Sequence, residues 1–471
     1  MSHKLSNVVK VLLFLYLFSI GYAIFTERHF FADGAHYFRL ILESKFFYAE
    51  GFSRSHANYI TQFIPVILIK IFSVRNVDFL SYAFGFGLYA PQLISMLICY
   101  LLVRKNNIYF MLFPIISLFG LSLNVTFQIV SESLVISYVF WPIFFYVVLK
   151  ENFNWIDTLM IFVLASVFSR SYESASILGS ILIVFLVLIM FERWHKTTML
   201  TKIVWFFLLV IFLVSVLIAL YFIIFPLNPE NRGHFLFALP SILRHYPALL
   251  SVIYILVISL CIFIPNFTKS FFYKYVILFL GIFTVFVSLI PILIPDLTRP
   301  DLHHNARVFM TYMLPLLSFV AYLVIRGIVI VPEFAWKKII VLITFLVIGQ
   351  TTWQILATSQ WNGFRHIFKE ELMRYNGIVS FEDTILKEKN VGIQLIRPMI
   401  WRWTNPTLSI LWAKNLDVNT IITIPSDALK QWQPFDPSNA NDLPKLEEFG
   451  FSFEKYKSFL LNGDDYGLKD E

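Results

Sequence analysis

The stretch from residue 203 to residue 225, IVWFFLLVIFLVSVLIALYFIIF, decides the fold class. It holds no charged residue, and about 20 mostly apolar residues are enough for a helix to cross the hydrocarbon core of a bilayer. The whole chain has this character, since 58% of its residues are hydrophobic and only 14% are charged. Soluble domains contain about 45–50% apolar and about 25% charged residues. The composition therefore predicts an integral membrane protein and excludes a soluble fold.

Eleven segments of the chain read as transmembrane helices, although several are short. They are residues 8–25, 79–103, 108–123, 134–149, 156–168, 174–191, 203–225, 248–264, 271–294, 308–331 and 339–356. A further apolar stretch, residues 59–72, is shorter and contains Gln62 and Lys70. We interpret it as a helix lying along the membrane interface. A cleaved signal peptide is the alternative for the first segment, because Lys4 and Lys10 precede the apolar run at residues 11–25.

The basic residues support this count of spans. Lysines and arginines flank cytoplasmic helix ends in membrane proteins, and with eleven spans every predicted cytoplasmic loop contains at least one of them. They are Lys4, Lys10, Arg104, Lys105, Lys150, Arg193, Lys196, Lys202, Lys269, Lys274, Arg326, Lys337 and Lys338. The N-terminus is then cytoplasmic and the C-terminus extracytoplasmic. The net charge of +7 is explained by these loops and does not indicate nucleic-acid binding. The compact loops favour a bacterial inner membrane.

The composition changes after the last predicted span. Residues 358–471 are rich in Trp, Pro, Asn and charge, and they are long enough for a small domain. Residues 418–424 (VNTIITI) predict a strand, and residues 443–449 and 453–461 predict helices. The predicted fold is thus an all-α polytopic membrane domain over residues 1–357, followed by a small extracytoplasmic α/β domain.

Two carboxylates stand out in the predicted outer loops. Asp33 lies in the long first outer loop, residues 26–78, and Glu132 lies at the start of the fourth predicted span. Both are expected at the outer rim of the membrane, where a carboxylate could remove the proton of an acceptor hydroxyl. The alternatives are that Asp33, which precedes Gly34, forms a turn and that Glu132 interacts with its own helix end.

Basic residues also occur in the outer loops, against the rule for cytoplasmic charge, and an anionic ligand would account for them. Arginine matches phosphate oxygens with its planar fork and stays ionised. The predicted substrate-binding residues are His36, Arg170, Tyr172, Glu173, Arg232, Arg299, His304 and Arg307. An ion pair between Arg170 and Glu173 and contact of Arg307 with lipid headgroups are the alternatives. We predict no metal site, because the adjacent His303 and His304 are weak evidence for one.

These residues give the chain a resemblance to the GT-C superfamily of integral membrane glycosyltransferases, which includes the protein O-mannosyltransferases and the lipid A aminoarabinose transferase. The run FADG at residues 31–34 resembles the acidic position after the first span, and VSES at 130–133 resembles the second acidic position. Residues 65–74 with 79–105 resemble the interfacial helix and second span, and ARVFMTYMLP at 306–315 resembles a later Arg/Tyr-Pro segment. The resemblance covers about the first 330 residues in layout.

The resemblance implies a polyprenyl-phosphate or polyprenyl-diphosphate sugar donor and an inverting transfer to a glycan, lipid or protein acceptor. The chain departs from the family in two places, since Gly34 follows Asp33 where many relatives have an acidic pair and the second acid is Glu132 rather than Asp. Relatives differ in metal use, so a requirement for a divalent cation such as Mg²⁺ or Mn²⁺ stays open. Residues 358–471 match no domain of the family.

Our interpretation is a glycosyltransferase that uses a lipid-linked sugar on the extracytoplasmic face. One alternative is a flippase or transporter for a lipid-linked glycan, which would place ionisable groups near the middle of the bilayer. Another is an enzyme of the O-antigen ligase or polymerase type, and a third is a non-catalytic assembly partner. In that last case neutralising Asp33 would change nothing.

Overall fold

The computed structural model describes residues 2–31, 33–49, 51–104, 106–121, 132–225, 246–264, 266–293, 302–387, 404–414, 420–423, 435, 439, 442–453 and 467–468. Most of these residues are helical. We number the helices α1 Ser2–Phe25, α2 Asp33–Ser44, α3 Ser55–Lys70, α4 Val77–Val103, α5 Leu112–Ile115, α6 Glu132–Leu149, α7 Trp155–Ser169, α8 Ala175–Arg193, α9 Met199–Ile224, α10 Tyr246–Phe263, α11 Phe271–Leu293, α12 Leu302–Ile325, α13 Glu333–Arg374 and α14 Asn405–Ala413. The strands are β1 Tyr375–Val379, β2 Thr420–Ile422 and β3 Gly467–Leu468.

Five helices in the described part of the chain are long and apolar enough to cross a membrane: α4, α6, α9, α13 and the helical stretch Ala175–Lys196 that begins with α8. Six shorter apolar helical stretches, counted over residues whose side chains are described, lie at Leu13–Phe25, Ile108–Leu118, Trp155–Ser169, Val252–Phe263, Phe271–Thr284 and Met313–Ile325. Each of these helices falls on one of the eleven predicted segments. The helices are those of a membrane protein, and the number of crossings stays a prediction.

Helix α6 lies at the centre of the bundle. It packs against α3, α4, α7, α8 and α12, and every residue from Glu132 to Val148 is buried. A helix that is apolar all round is either surrounded by protein or faces lipid, and α6 is surrounded by protein. Helix α9 is equally free of charge along its middle but exposes much of its apolar surface, including Phe206, Leu213 and Leu217.

Helix α3 covers the region of the predicted interfacial helix. Its 16 residues span about 24 Å at 1.5 Å per residue, which is less than the hydrocarbon core of about 30 Å. It packs closely on α4, where a Cβ added at Gly87 would lie 2.4 Å from the backbone oxygen of Thr61. Glycine is therefore needed at position 87 for the two helix backbones to approach each other.

A buried arginine joins α1, α4 and α13 beyond the end of α1. The guanidinium of Arg28, which is 2% exposed, donates to the side chain of Gln354 at 2.7 Å, to the Thr358 hydroxyl at 2.5 Å and to the Tyr89 hydroxyl at 3.0 Å. Nearby, the indole of Trp361 donates to the backbone oxygen of Thr26 at 3.1 Å. These bonds fix α13 beside the C-terminal end of α1.

Helix α13 does not end where the sequence predicted the last span to end. It continues unbroken from Glu333 to Arg374, so the predicted domain boundary at residue 357 lies inside one helix. Strand β1 follows it directly and pairs in parallel with β2, with Gly377 opposite Thr420, and antiparallel with β3. The predicted strand at 418–424 is therefore present over Thr420–Ile422.

Two helices were also predicted in the C-terminal segment. The helix predicted at 443–449 is wrong for residues 443–446, and the short 3₁₀ turn Glu447–Phe449 is all that forms there. Pro444 disfavours a helical conformation of Leu443, and Gly450, with φ 81°, ends the turn. The helix predicted at 453–461 lies outside the described residues from residue 454 onward.

Candidate functional site

Helix α2 carries the first of the predicted acids. Asp33 is its first residue, where a carboxylate interacts favourably with the helix dipole. The helix forms because Ala35, Phe38 and Leu42 recur on one face and are buried. It ends where Lys45 adopts a left-handed conformation with φ 53°. The loop that contains Asp33 is thus a packed helix, and Asp33 does not stand in a turn.

The second predicted acid faces this helix. Glu132 is 4% exposed, and its Oε1 accepts a hydrogen bond of 3.1 Å from the hydroxyl of Tyr37. Tyr37 follows Asp33 by four residues, so the two side chains lie on the same face of α2. The structure therefore brings Asp33 to the side of α2 that faces Glu132, although 99 positions separate the two acids in the sequence.

Aromatic rings pack beside His36 and Tyr37 on α2. The ring centroid of Tyr48 lies 5.9 Å from that of His36 and 5.5 Å from that of Tyr37. Burial and the nearby Arg39 guanidinium lower the pKa of His36 to about 3, so this imidazole is neutral at physiological pH. We call Asp33, His36, Tyr37, Tyr48 and Glu132 the carboxylate cluster.

A buried ion pair supports the other side of α2. Nη1 of Arg39 lies 3.0 Å from Oε1 of Glu43, and Cζ of Arg39 lies 5.5 Å from the ring centroid of Phe435. Burial lowers the pKa of Arg39 and raises that of Glu43, and the attraction between the two charges opposes both shifts. Phe435 belongs to the C-terminal segment, and α14 also packs on α2. The C-terminal segment therefore helps to hold the carboxylate cluster in place.

The turn between α7 and α8 contains the predicted binding residues Arg170, Tyr172 and Glu173. The ion pair between Arg170 and Glu173, which was the alternative interpretation, does not form. The Glu173 carboxylate receives two bonds from Arg54, at 3.0 Å from Nε and 3.3 Å from Nη2, and Cζ of Arg54 lies 5.0 Å from the ring centroid of Tyr172. Arg54 precedes α3 and reaches this turn from a distant part of the sequence, so sequence spacing alone could not identify it as the partner of Glu173.

Arg170 is held by an aromatic residue instead. Its Nε donates to the backbone oxygen of Phe52 at 2.9 Å, and its Cζ lies 3.4 Å from the centroid of the Phe52 ring. Its own backbone oxygen accepts from the backbone N–H of His56 at 3.1 Å. Burial lowers the pKa of Arg170 slightly against the opposing effect of Tyr59. We call Phe52, Arg54, Arg170, Tyr172 and Glu173 the arginine turn.

Aromatic side chains connect the carboxylate cluster with the arginine turn. Phe47, next to Tyr48, has its ring centroid 5.2 Å from that of Tyr59, and Tyr59 lies 6.3 Å from His56. His56 then bonds to the backbone of Arg170. The cluster and the turn are therefore linked along one side of α3.

The other predicted binding residues are less informative. Arg232 and Arg299 lie outside the described residues. His304 and Arg307 belong to α12, but their side chains lie outside the described part of the chain. In the residues that the structure describes, no group of three or more His, Cys, Asp and Glu side chains could hold a metal ion. Convergence of several arginines on one phosphate stays a prediction.

Sequence reasoning missed four residues that shape these sites: Tyr37, Tyr48, Arg54 and Gln62. Tyr37 carried a usable signal, because it stands one helical turn after Asp33. The others depend on contacts between α2, α3 and the turn after α7, which local sequence patterns do not show.

No family model, curated protein or solved structure matches the chain. The functional interpretation therefore depends on the geometry of the site and on the resemblance in layout described above.

Proposed function

We propose that this protein is a membrane glycosyltransferase that moves a sugar from a polyprenyl-phosphate donor to an acceptor hydroxyl. In this proposal the chain crosses a bacterial inner membrane eleven times, with its N-terminus in the cytoplasm. The carboxylate cluster, the arginine turn and the C-terminal segment then share the extracytoplasmic side. Helix α3 lies along the interface and does not cross.

The observation that carries the proposal is the bond between Tyr37 and Glu132. It places Glu132 against the face of α2 that also presents Asp33. Two carboxylates held by different helices at one aromatic-lined site are a suitable arrangement for general base catalysis. The burial of Glu132 also costs free energy unless hydrogen bonds to its carboxylate compensate.

The reaction requires a base and a stabilised leaving group. Asp33, aided by Glu132, takes the proton of the acceptor hydroxyl while its oxygen forms a bond to the anomeric carbon. The bond from that carbon to the phosphate oxygen breaks, and its electron pair leaves with the polyprenyl phosphate. A positioned base contributes about 10²–10⁴-fold to such a step.

Arg170 is the predicted phosphate ligand for which the structure gives most support. Its guanidinium is partly exposed and lies flat on Phe52, and within the described residues it makes no ion pair. Arginine binds phosphate oxygens through several N–H groups at once. The aromatic link along α3 connects this guanidinium with the carboxylate cluster.

Transfer of labelled sugar tests the proposal directly. Membranes that contain the wild type, Asp33→Asn or Glu132→Gln are incubated with labelled polyprenyl-phosphate sugars, and incorporation into an acceptor fraction is measured. We expect each variant to lose about 10²-fold or more of the wild-type rate. Equal transfer by the wild type and both variants would remove these acids from catalysis.

A flippase for lipid-linked glycans is the second candidate, and the buried Arg28 favours it. Buried ionisable groups in membrane proteins often mark a transport pathway, and Arg28, just beyond the end of α1, is bonded to Gln354 and Thr358 on α13 and to Tyr89 on α4. Proteoliposomes with fluorescent polyprenyl-phosphate sugar distinguish the two functions. Translocation of the lipid without sugar transfer would support the flippase.

A further inference from the structure

The Tyr48 ring occupies a distinctive position in the carboxylate cluster. It is partly exposed, whereas its neighbour Tyr37 is 3% exposed. Its plane makes angles of 87° with the ring of His36 and 49° with that of Tyr37, so neither neighbour lies parallel to it. Tyr37 in turn bonds to Glu132. A partly exposed aromatic ring is therefore fixed next to Tyr37, the residue that bonds to Glu132.

A buried side chain on α3 helps to hold Tyr48 in place. Residues 45–49 and 51, which lie between α2 and the turn before α3, have no helical or strand structure. The side chain of Gln62 on α3 is buried and accepts from the backbone N–H of Tyr48 at 2.8 Å. It also donates to the backbone oxygen of Tyr48 at 2.8 Å. Both ends of the Gln62 amide are thus used to fix one residue of a loop.

This fixation has an energetic consequence for binding. Ordering the backbone of a loop residue costs about 1–2 kcal/mol, and a ligand that had to order Tyr48 itself would lose that much affinity. Because Gln62 orders the backbone of Tyr48 before any ligand arrives, the ring is preorganised. A purely structural loop would not require an accessible aromatic ring at this position.

The chemistry around Tyr48 selects the kind of ligand. The face of an aromatic ring is electronegative and attracts the polarised C–H groups on the apolar face of a sugar ring. The sugar hydroxyls can both donate and accept hydrogen bonds, which suits the carboxylates of Asp33 and Glu132 and the neutral imidazole of His36. The acids repel an anion, and a fully apolar ligand would leave their oxygens desolvated without compensation.

We propose that Tyr48 is the surface on which the transferred sugar ring stacks, and that Gln62 is the positioning residue that holds it there. This inference rests on the proposed function and extends it by assigning the sugar to a defined subsite. Tyr48 then determines affinity for the sugar part of the donor, while the phosphate and the polyprenyl chain bind elsewhere.

Binding of lipids with and without a sugar tests the inference on the full-length protein in detergent. The probes are undecaprenyl phosphate and its glucose, mannose and galactose derivatives, and affinity is measured from the thermal shift as a function of lipid concentration. The wild type should bind at least one sugar-bearing lipid more tightly than undecaprenyl phosphate. In Tyr48→Leu this preference should fall about tenfold, while affinity for undecaprenyl phosphate stays the same.

Three further variants separate stacking from general damage to the fold. Tyr48→Phe keeps the ring and should restore most of the sugar preference. Gln62→Met removes the two bonds at similar size and should reduce the preference less than Tyr48→Leu does, with a change in KM rather than kcat. Tyr109→Leu is the control, because the Tyr109 ring stacks on Trp336 at 5.3 Å, outside both sites, and its loss should leave the preference unchanged.

The outcomes distinguish this inference from the proposed function. An unchanged sugar preference in Tyr48→Leu, or a wild type that does not prefer any of the three sugar-bearing lipids, would overturn the stacking role. Asp33→Asn should retain a Tyr48-dependent preference for the sugar-bearing lipid and fail in transfer. If neither the wild type nor any variant transfers sugar while the Tyr48-dependent preference persists, the enzymatic proposal fails and the sugar site stands.

Discussion

The carboxylate cluster and the arginine turn each contain a glutamate among aromatic rings, but the two glutamates have different hydrogen-bond partners. Glu132 accepts a bond from the neutral hydroxyl of Tyr37 and lies beside a helix that carries a second acid. Glu173 receives two bonds from the Arg54 guanidinium. A carboxylate neutralised by a bidentate arginine is a poor base and a good structural link. We therefore assign chemistry to the cluster and a structural role to Glu173.

The largest expected effect separates the two glutamates. Glu132→Gln should lower the rate of sugar transfer about 10²–10⁴-fold, with the protein still folded. Glu173→Gln should lower the rate far less but reduce the free energy of unfolding by about 1–2 kcal/mol, because its ion pair is partly buried. The measurements are transfer rate and thermal unfolding in detergent. The same loss of rate in both variants would contradict the comparison.

A smaller effect is expected at the phenol that touches Glu132. Tyr37→Phe removes one hydrogen bond and should lower the transfer rate about tenfold, since the carboxylate is then less well oriented. Tyr254→Phe is the matched control. It removes a buried bond to the Thr284 hydroxyl, 2.8 Å long, at a site far along the chain. A similar loss of rate in the control would show that Tyr37 acts through stability.

The structural role of the arginine turn can be measured by a double-mutant cycle. Arg54→Gln, Glu173→Gln and the double variant are compared by thermal unfolding. The coupling energy should be about 1 kcal/mol, as expected for a partly exposed pair. Arg170→Gln combined with Glu173→Gln should show much less coupling, because these two side chains do not form an ion pair. Stronger coupling of Glu173 with Arg170 would contradict the observed pairing.

The smallest effect concerns pH. The pKa of His36 is lowered to about 3 by burial and Arg39, so the folded protein favours the neutral imidazole. The stabilising contribution of this shift is complete above the unfolded pKa of about 6.5 and is lost as the pH falls from 6.5 towards 3. The melting temperature of the wild type should therefore fall between pH 7 and pH 4 more steeply than that of His36→Gln.

His56 on α3, next to the arginine turn, provides the matching experiment. Burial and Arg170 lower its pKa, but its bond to the backbone oxygen of Ser166 opposes the shift. Removing His56 should therefore change the pH dependence less than removing His36. A larger change for His56→Gln than for His36→Gln would contradict the burial assigned to the carboxylate cluster.

The C-terminal segment shows how far sequence reasoning reached. The strand around Ile421 was predicted because the run of β-branched residues at 420–424 favours extended structure. The continuation of α13 past residue 357 was not predicted, because the sequence loses its apolar character there. The C-terminal part of α13 is instead stabilised by single contacts, such as the ion pair of 3.3 Å between Arg365 and Glu27. Such contacts join residues more than 300 positions apart.

The sequence by itself determined the membrane character of the chain, the positions of its apolar helices and the candidate acids Asp33 and Glu132. These follow from local composition, since transfer of apolar segments into lipid depends on the residues of each segment alone. The tertiary structure decided which helix is buried within the bundle, which arginine pairs with Glu173, and that Tyr37, Tyr48 and Gln62 join the acids. Those outcomes depend on contacts between distant helices. In a membrane protein, residues that face lipid and residues that face other helices are similarly apolar, so hydropathy does not distinguish them.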